Sequence, residues 1–370
     1  MESKLIYAVI IMLTMLLPCA CVKAEPQKPA SQEGTSGEQS TVWFTNEISP
    51  QAVSRIYAKL SGELNGKIAI KLHFGEEGNQ NFLPASLIKD LCLNLDATLV
   101  ETNVLYGGPR SKTASHIALA RKHGFDFAPI DILDDEANLA FEARAKHFSK
   151  VYTGSHFTDY DGYLIFSHVK GHGNAGFGGA IKNIAMGLAS REGKRFQHQG
   201  NYPVYDSEKC ISCGICVSSC PETAITIDPV NIDHTACIAC GKCISVCPVK
   251  VFSQSPGGRS AEAFQERLVE YAKVLSSQRK MVYINVLANI SSACDCMSHS
   301  PKPFVKDIGI LASTDIVAIE AASYDLVNKA HNCEDAFLKE SRVSGRHQID
   351  YAHAIGMGHK DYKLVDIDAK

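Results

Sequence analysis

The sequence predicts an α/β protein whose largely parallel sheet is discontinuous, split by a small module inserted near its middle. Three observations carry this. Strand-like and helix-like patterns alternate over residues 41–201, and the alternation resumes over 257–370. Between them, residues 202–256 hold a doubled run of cysteines. Strands that alternate with helices make parallel sheets covered on both faces, because each crossover helix packs back onto the sheet it left.

Residues 1–24 read as a secretory leader. Lys4 supplies the positive charge, Leu5 to Leu17 is an almost wholly apolar run, and Val22-Lys23-Ala24 offers a small-residue cleavage site. Ala20-Cys21 also resembles the end of a lipoprotein signal. Such a leader implies an exported protein, periplasmic or membrane-anchored, touching a membrane only through the leader or a lipid on Cys21. If the leader is not functional, the protein is cytoplasmic. Residues 25–40 carry no large apolar side chain and read as a flexible linker. Exported compartments favour disulfides over free thiols, and no arginine pair precedes the apolar run, so leader and cysteines pull in opposite directions.

The alternation starts with a helix over Pro50–Leu60, capped by Ser49, and a strand over Lys67–Phe74 that alternates apolar and polar. A helix over Pro84–Leu95 opens on proline, and Ala97–Glu101 is a short strand. Lys112–His123 is a helix closed by Gly124, with strands over Ala128–Ile132 and Gly162–His168. Asp134-Asp135-Glu136 reads as a helix start. Past the insert, which Pro256-Gly257-Gly258 closes, come a helix over Ala261–Ser276 and a strand over Met281–Leu287. Then follow a strand over Asp315–Ile319, helices over Ala321–Asn332 and His347–Ile355, and a strand over Tyr362–Ile367. Cys92 and Cys333 fall on helices and read as core.

Hydrophobic residues make up 45% of the 370 and charged ones 21%, ordinary values for a globular chain. A net charge of −3 with no basic stripe argues against nucleic acid as a partner.

The insert reads C-I-S-C-G-I-C-V-S-S-C-P from Cys210 and C-I-A-C-G-K-C-I-S-V-C-P from Cys237, repeating after 27 residues (210 to 237). Zinc sites seldom pack three cysteines into seven residues, and disulfides do not need this spacing. Each half is the run that holds a cubane iron–sulfur cluster. Three thiolates two residues apart wrap one face, and the fourth crosses to the other cluster. Cys210, Cys213, Cys216 and Cys247 would then hold one [4Fe–4S], and Cys237, Cys240, Cys243 and Cys220 the second. Pro221 and Pro248 turn the chain away after each fourth ligand. The module closely resembles a bacterial two-cluster ferredoxin, a small α+β domain, which implies electron transfer and a redox partner protein.

Two further stretches offer chemistry. The loop from Gly171 to Gly179, which holds His172 and is flanked by Lys170 and Lys182, follows a strand and leads into a helix, a setting for an anionic small ligand. Gly171, Gly173 and Gly176 also spell G-x-G-x-x-G, but no strand ending in an acidic residue follows, so the dinucleotide fingerprint is incomplete. The alternative is a tight turn that needs small residues for packing. Cys294-Asp295-Cys296, with His299 nearby, lies beyond a strand's carboxyl end, where open α/β sheets place their sites. Two thiols one residue apart with an imidazole can bind an additional metal or act as a redox pair. Their alternative is a pair of small, partly buried loop residues.

Several separated motifs resemble, in order, an uncharacterised family of iron–sulfur-centre proteins, domain of unknown function 362, with an inserted ferredoxin pair. They are Lys170-Gly-His172 with Lys182-Asn183-Ile-Ala-Met-Gly187, the doubled cysteine runs, Cys294-Asp295-Cys296, Asp307 to Ala318, and Gly356-Met-Gly358. The resemblance implies the clusters and an α/β fold, and no settled reaction. The resulting expectation is a two-cluster protein exchanging electrons with a site near His172, Lys182, Cys294 and Cys296, an oxidoreductase if that site acts on a substrate. The alternatives are an electron carrier without substrate chemistry, and a binding or sensor protein stabilised by its clusters.

Overall fold

The computed structural model describes residues 39–198, 202–220, 222–234, 236–237, 242–254 and 261–369. The proposed leader and nearly all of the linker, together with Cys21, Pro221 and Cys240, lie outside the described residues. In chain order, β1 (Ser40–Thr45), α1 (Pro50–Tyr57), β2 (Ile68–Lys71), α2 (Ser86–Asn94), β3 (Thr98–Glu101), α3 (Thr113–Lys122) and β4 (Ile130–Ile132) come first. A hairpin of β5 (Asn138–Glu142) and β6 (Lys150–Gly154) precedes β7 (Gly162–His168). A second hairpin, β8 (Lys170–His172) and β9 (Gly176–Gly178), runs into α4 (Ala180–Gly187) and α5 (Arg191–His198). The cysteine segment holds β10 (Pro203–Tyr205), α6 (Ile215–Ser219), β11 (Ile225–Thr226), β12 (Asn231–Ile232), α7 (Lys242–Val246) and β13 (Phe252–Gln254). After it come α8 (Ala261–Gln278), β14 (Lys280–Leu287), β15 (Gly309–Ser313), α9 (Ile316–His331), α10 (Ala336–Ser341), α11 (Arg346–Ala354) and β16 (Tyr362–Asp366).

Eight strands form one sheet in the order β16-β1-β15-β14-β7-β2-β3-β4. Only β15 runs against its neighbours; the other pairings are parallel. The strand period explains how the sheet is covered. Tyr163 and Ile165 of β7 enter one core layer with α4, α8 and α9, while Leu164 and Phe166 enter the other with α1 and α2. Every residue of β2, β7 and β15 is buried, as a two-faced sheet requires.

Strands β7 and β14 pair in parallel although the whole cysteine segment lies between them in sequence. That segment has its own small core of Cys216, Ile225, Val230, Ile232, Cys243 and Phe252 with their neighbours. Its elements repeat with the spacing of the cysteines: α6 starts at 215 and α7 at 242, β11 at 225 and β13 at 252. Among the described residues no helix is long and apolar enough to cross a membrane.

The order of strands also makes a crevice. From β2 the chain steps to β3 and β4 on one side, and later returns to place β7 and then β14 on the other. The direction of travel therefore reverses between β2 and β7. Ligands in such sheets lie beyond the carboxyl ends of strands at that reversal.

Two expectations are corrected. Asp315–Ile319 is not a strand: Asp315 accepts backbone N–H bonds from Val317 and Ala318 (2.8 and 3.0 Å) and so caps α9. The strand there is Gly309–Ser313, and the apolar run beyond Asp315 is a helix face. Asp134-Asp135-Glu136 is a turn, in which the Asp134 carboxylate accepts from Asn103 N and Arg191 N (2.8 and 3.2 Å).

Candidate functional site: a thiol pair at the sheet reversal

At the reversal, β2 ends in Lys71, β3 in Glu101 and β7 in His168, with Lys170 just beyond. After β14 the chain enters a loop whose Cys294 carbonyl accepts from Met297 N at 3.1 Å, closing a turn around Asp295 and Cys296. Asp295 is fully buried. Its carboxylate contacts His168 Nδ1 at 2.8 Å and Lys170 Nζ at 3.0 Å, pinning the turn to β7. Burial alone would raise the Asp295 carboxyl, but His168 and Lys170 outweigh it and hold it well below the usual carboxylate range. His168 Nε2 donates to the Ala288 carbonyl at 2.6 Å, tying the start of the same loop.

With the turn anchored, three side chains converge. Donor atoms of His172, Cys294 and Cys296 all lie within 4.8 Å of one another, a grouping able to hold a metal ion. Lys182 of α4 brings Nζ to 3.6 Å from Cys294 Sγ, and Cys296 N lies 3.3 Å from the same sulfur. The Cys296 thiol, followed by Lys182 and Lys170, draws Cys294 well below the ordinary thiol range; the bond to Cys294 pushes Cys296 well above it. The pair thus shares one proton, which stays on Cys296. Burial, with Lys182, His198 and Lys170 near, keeps His172 neutral. Its Nδ1 accepts backbone N–H from Ala175 (3.0 Å) and Asn174 (3.2 Å), which puts the ring proton on Nε2.

Beside the thiols lies a buried ionic network that no motif announces. Arg110 makes two bonds to Glu101 (3.0 and 2.9 Å) and approaches Glu76 at 3.5 Å and His73 Nε2 at 3.0 Å. Glu101 also meets His116 at 3.0 Å and Lys71 at 3.5 Å. Tyr106 donates to Glu76 at 3.0 Å, and both Tyr106 and Arg110 lie near the thiol pair. Burial lowers Lys71 to about 7, and its ammonium donates to Asn183 Oδ1 (2.8 Å) and Leu72 O (2.6 Å). Asn183, one residue after Lys182, links this network to the thiol side.

The glycine-rich loop leads into a helix start that already has a carboxylate partner. The α4 N-terminus is capped by the chain's own Glu320, whose carboxylate accepts from Ala180 N. Lys170 and Lys182, its expected flanking cations, are spent on Asp295 and Cys294. Two of its glycines answer to packing: a Cβ on Gly171 would overlap Ser341 and the Ser292 carbonyl, and one on Gly179 would overlap Glu320. Gly176 also sits at φ +77°. A hairpin stands where a dinucleotide fold has a tight turn.

Burial raises Glu320 to about 7. A raised carboxyl binds protons more tightly in the folded chain, so its contribution is present at low pH and lost as pH climbs from about 4.5 through 7. Glu320→Gln should therefore gain on the wild type between pH 5 and pH 8, on the order of 3 kcal/mol, and level off above. Urea unfolding at several pH values checks this; a difference independent of pH would refute it.

In the cysteine segment, Cys247 of the second run lines one cavity together with Cys210, Cys213 and Cys216 of the first. Ser212 N donates to Cys210 Sγ (3.4 Å), Ala224 N to Cys220 Sγ and Val251 N to Cys247 Sγ (3.3 Å each). The last two are equivalent bonds 27 residues apart (220 to 247). Cys220, Cys237 and Cys243 belong to the same small core. Arg191 and Arg195 of α5 reach Glu222 (3.7 and 3.1 Å), while His198, at the other end of α5, packs on Phe264 beside His172.

The family model for a domain of unknown function (DUF362) matches residues 68–325. The chain belongs to the DUF362 family. The match begins at β2 and contains the reversal, the thiol turn and the cysteine segment. No curated protein matches the chain. Among solved structures it is similar to the lactate racemase apoprotein from Thermoanaerobacterium thermosaccharolyticum, at 14% identity and TM-score 0.37, covering 68% of this chain and 51% of that one. A Thermotoga maritima protein gives 9% identity and TM-score 0.37, with 78% and 60% covered. The chain thus spans about half to three fifths of those structures' length.

Of the residues singled out from sequence, the DUF362 domain brings Lys170, His172, Lys182, Cys294 and Cys296 together. It does not include His299, which is exposed and turned to Ser298 Oγ; the imidazole at the thiols is His172. Lys71, His73, Glu76, Glu101, Tyr106 and Arg110 were not legible. The available signal was that Lys71, His73 and Glu101 all sit at strand carboxyl ends. Cys92 is buried in α2, and Cys333 packs half-buried just after α9.

Proposed function

We propose that this DUF362 protein binds two [4Fe–4S] clusters and exchanges electrons between them and the thiol site of His172, Lys182, Cys294 and Cys296. One observation carries the reading: the fourth cysteine of the second run lines the cavity of the first three cysteines of the first run. That is the crossed arrangement of two-cluster ferredoxins. Cys210, Cys213, Cys216 and Cys247 would hold one cluster. Cys220, Cys237 and Cys243, with Cys240, would hold the other.

Thiolate donors at this spacing suit iron–sulfur centres, and backbone N–H bonds to Cys210, Cys220 and Cys247 support anionic sulfur. Once bound, the clusters supply one-electron transfers. The chain's own part is to hold, orient and screen them. Ile225, Val230 and Phe252 exclude water from the inner side, while exposed Cys213 leaves one edge open to a redox partner protein. The pinned turn and cations at Cys294 favour a site with its own chemistry over an electron carrier without substrate chemistry. Export through the leader belongs to the same proposal.

The test is iron and sulfide analysis of anaerobically purified full-length protein, with electron paramagnetic resonance after reduction. About eight irons per chain and the coupled signals of two reduced clusters are expected. Zinc in place of iron, or fewer than four irons after reconstitution, would sink the proposal.

A further inference from the structure

We propose that Cys294 and Cys296 form a reversible dithiol–disulfide couple inside the DUF362 domain, poised by Lys182 and His172. In the turn closed by Met297 N on Cys294 O, the two sulfurs lie within 4.8 Å of each other. Asp295 between them is held by Lys170 Nζ at 3.0 Å and His168 Nδ1 at 2.8 Å. The backbone is therefore anchored, and neither sulfur is bonded to another.

The surroundings favour this couple over a metal. Lys182 Nζ at 3.6 Å from Cys294 Sγ stabilises a thiolate, the species that exchanges with disulfides. The same ammonium, with Lys170 close behind, opposes a divalent cation. A metal-bound imidazole normally donates its second N–H outward, whereas His172 Nδ1 accepts two backbone N–H bonds and keeps its proton on Nε2.

The step balances. Reduction breaks the S–S bond with two electrons and one proton, leaving Cys294 as thiolate beside Lys182 and Cys296 as thiol. Oxidation forms the bond and releases the same two electrons and proton. A dithiol reagent supplies both electrons at once. Two one-electron clusters supply one each, and that supply rests on the proposed function above, whereas the couple does not.

The experiment equilibrates the full-length chain anaerobically in mixtures of reduced and oxidised dithiothreitol. It is quenched in acid, alkylated, and the peptide carrying both residues is weighed, with iron measured on the same samples. In oxidising mixtures that peptide should be unlabelled and lighter by two hydrogens; in reducing ones, doubly labelled. Cys296→Ser should be labelled at Cys294 in every mixture. Lys182→Met, checked for folding by circular dichroism, should shift the midpoint at least several-fold toward the disulfide, because it removes the charge that favours the reduced thiolate. Two labels in every mixture would overturn the couple. So would stoichiometric zinc retained by the wild type and lost from Cys294→Ser/Cys296→Ser. Full iron with no couple leaves the cluster reading standing; a couple without iron removes that reading and keeps this one.

Discussion

Cys210→Ser/Cys247→Ser is expected to retain about four irons per chain, and Cys210→Ser/Cys220→Ser almost none. The first pair strips two ligands from the same crossed set, leaving Cys220, Cys237, Cys240 and Cys243 intact. The second removes one ligand from each set. If the ligand sets instead followed the two runs, the outcomes would exchange. Electron paramagnetic resonance gives a second readout, because a surviving single cluster loses the spin coupling that two reduced neighbours show. The test separates the two pairings because Cys247, and not Cys220, lines the cavity of Cys210, Cys213 and Cys216.

Arg110→Met should cost about 3–5 kcal/mol of stability. Arg110 is 3% exposed and Glu101 is 2% exposed, so the substitution leaves the Glu101 and Glu76 carboxylates in a site with almost no water. Burial by itself would raise Glu101, and it is Arg110, ahead of Lys71, that holds this carboxyl well below its usual range. Losing the guanidinium therefore transfers the desolvation cost to whatever remains. Arg110→Met/Glu101→Gln should be less destabilised than the sum of the single changes, since each removes the partner the other lacks. Chemical unfolding of the four proteins checks both statements; a loss under about 1 kcal/mol for Arg110→Met would mean the network is solvated after all.

The fold was legible where periodicity was strong. The strands at 68, 98, 130, 162 and 280 and the helices at 50, 86, 113 and 261 lie close to where the apolar pattern puts them. The pattern failed at Asp315, where a short apolar run fits strand or helix and the capping carboxylate decides. It also passed over the two hairpins at 138–154 and 170–178, whose strands are short and whose pairing depends on neighbours. At the site, cysteines and lysines were readable because their spacing is local. The Arg110–Glu101–Lys71–His73 network was not, since its members are ordinary charged residues that only the sheet brings to one end. His172 replaced His299 for the same reason: proximity in sequence is a poor guide to what faces a turn.

The parallel pairing of β16 with β1 joins Tyr362 to Ser40, and β15 pairs Ala312 with Trp43. The strand formed first in chain order must therefore wait for the last two to emerge during synthesis. The cysteine segment, whose strand pairs and small core lie within residues 203–254, needs no such wait. On a ribosome it can take up its shape while β1 and β14 still present open edges. Non-local closure of this kind is slow, and a chain stalled before β15 would offer those edges to other chains. The inserted segment can thus close on contacts already synthesised, whereas the sheet needs its last two strands.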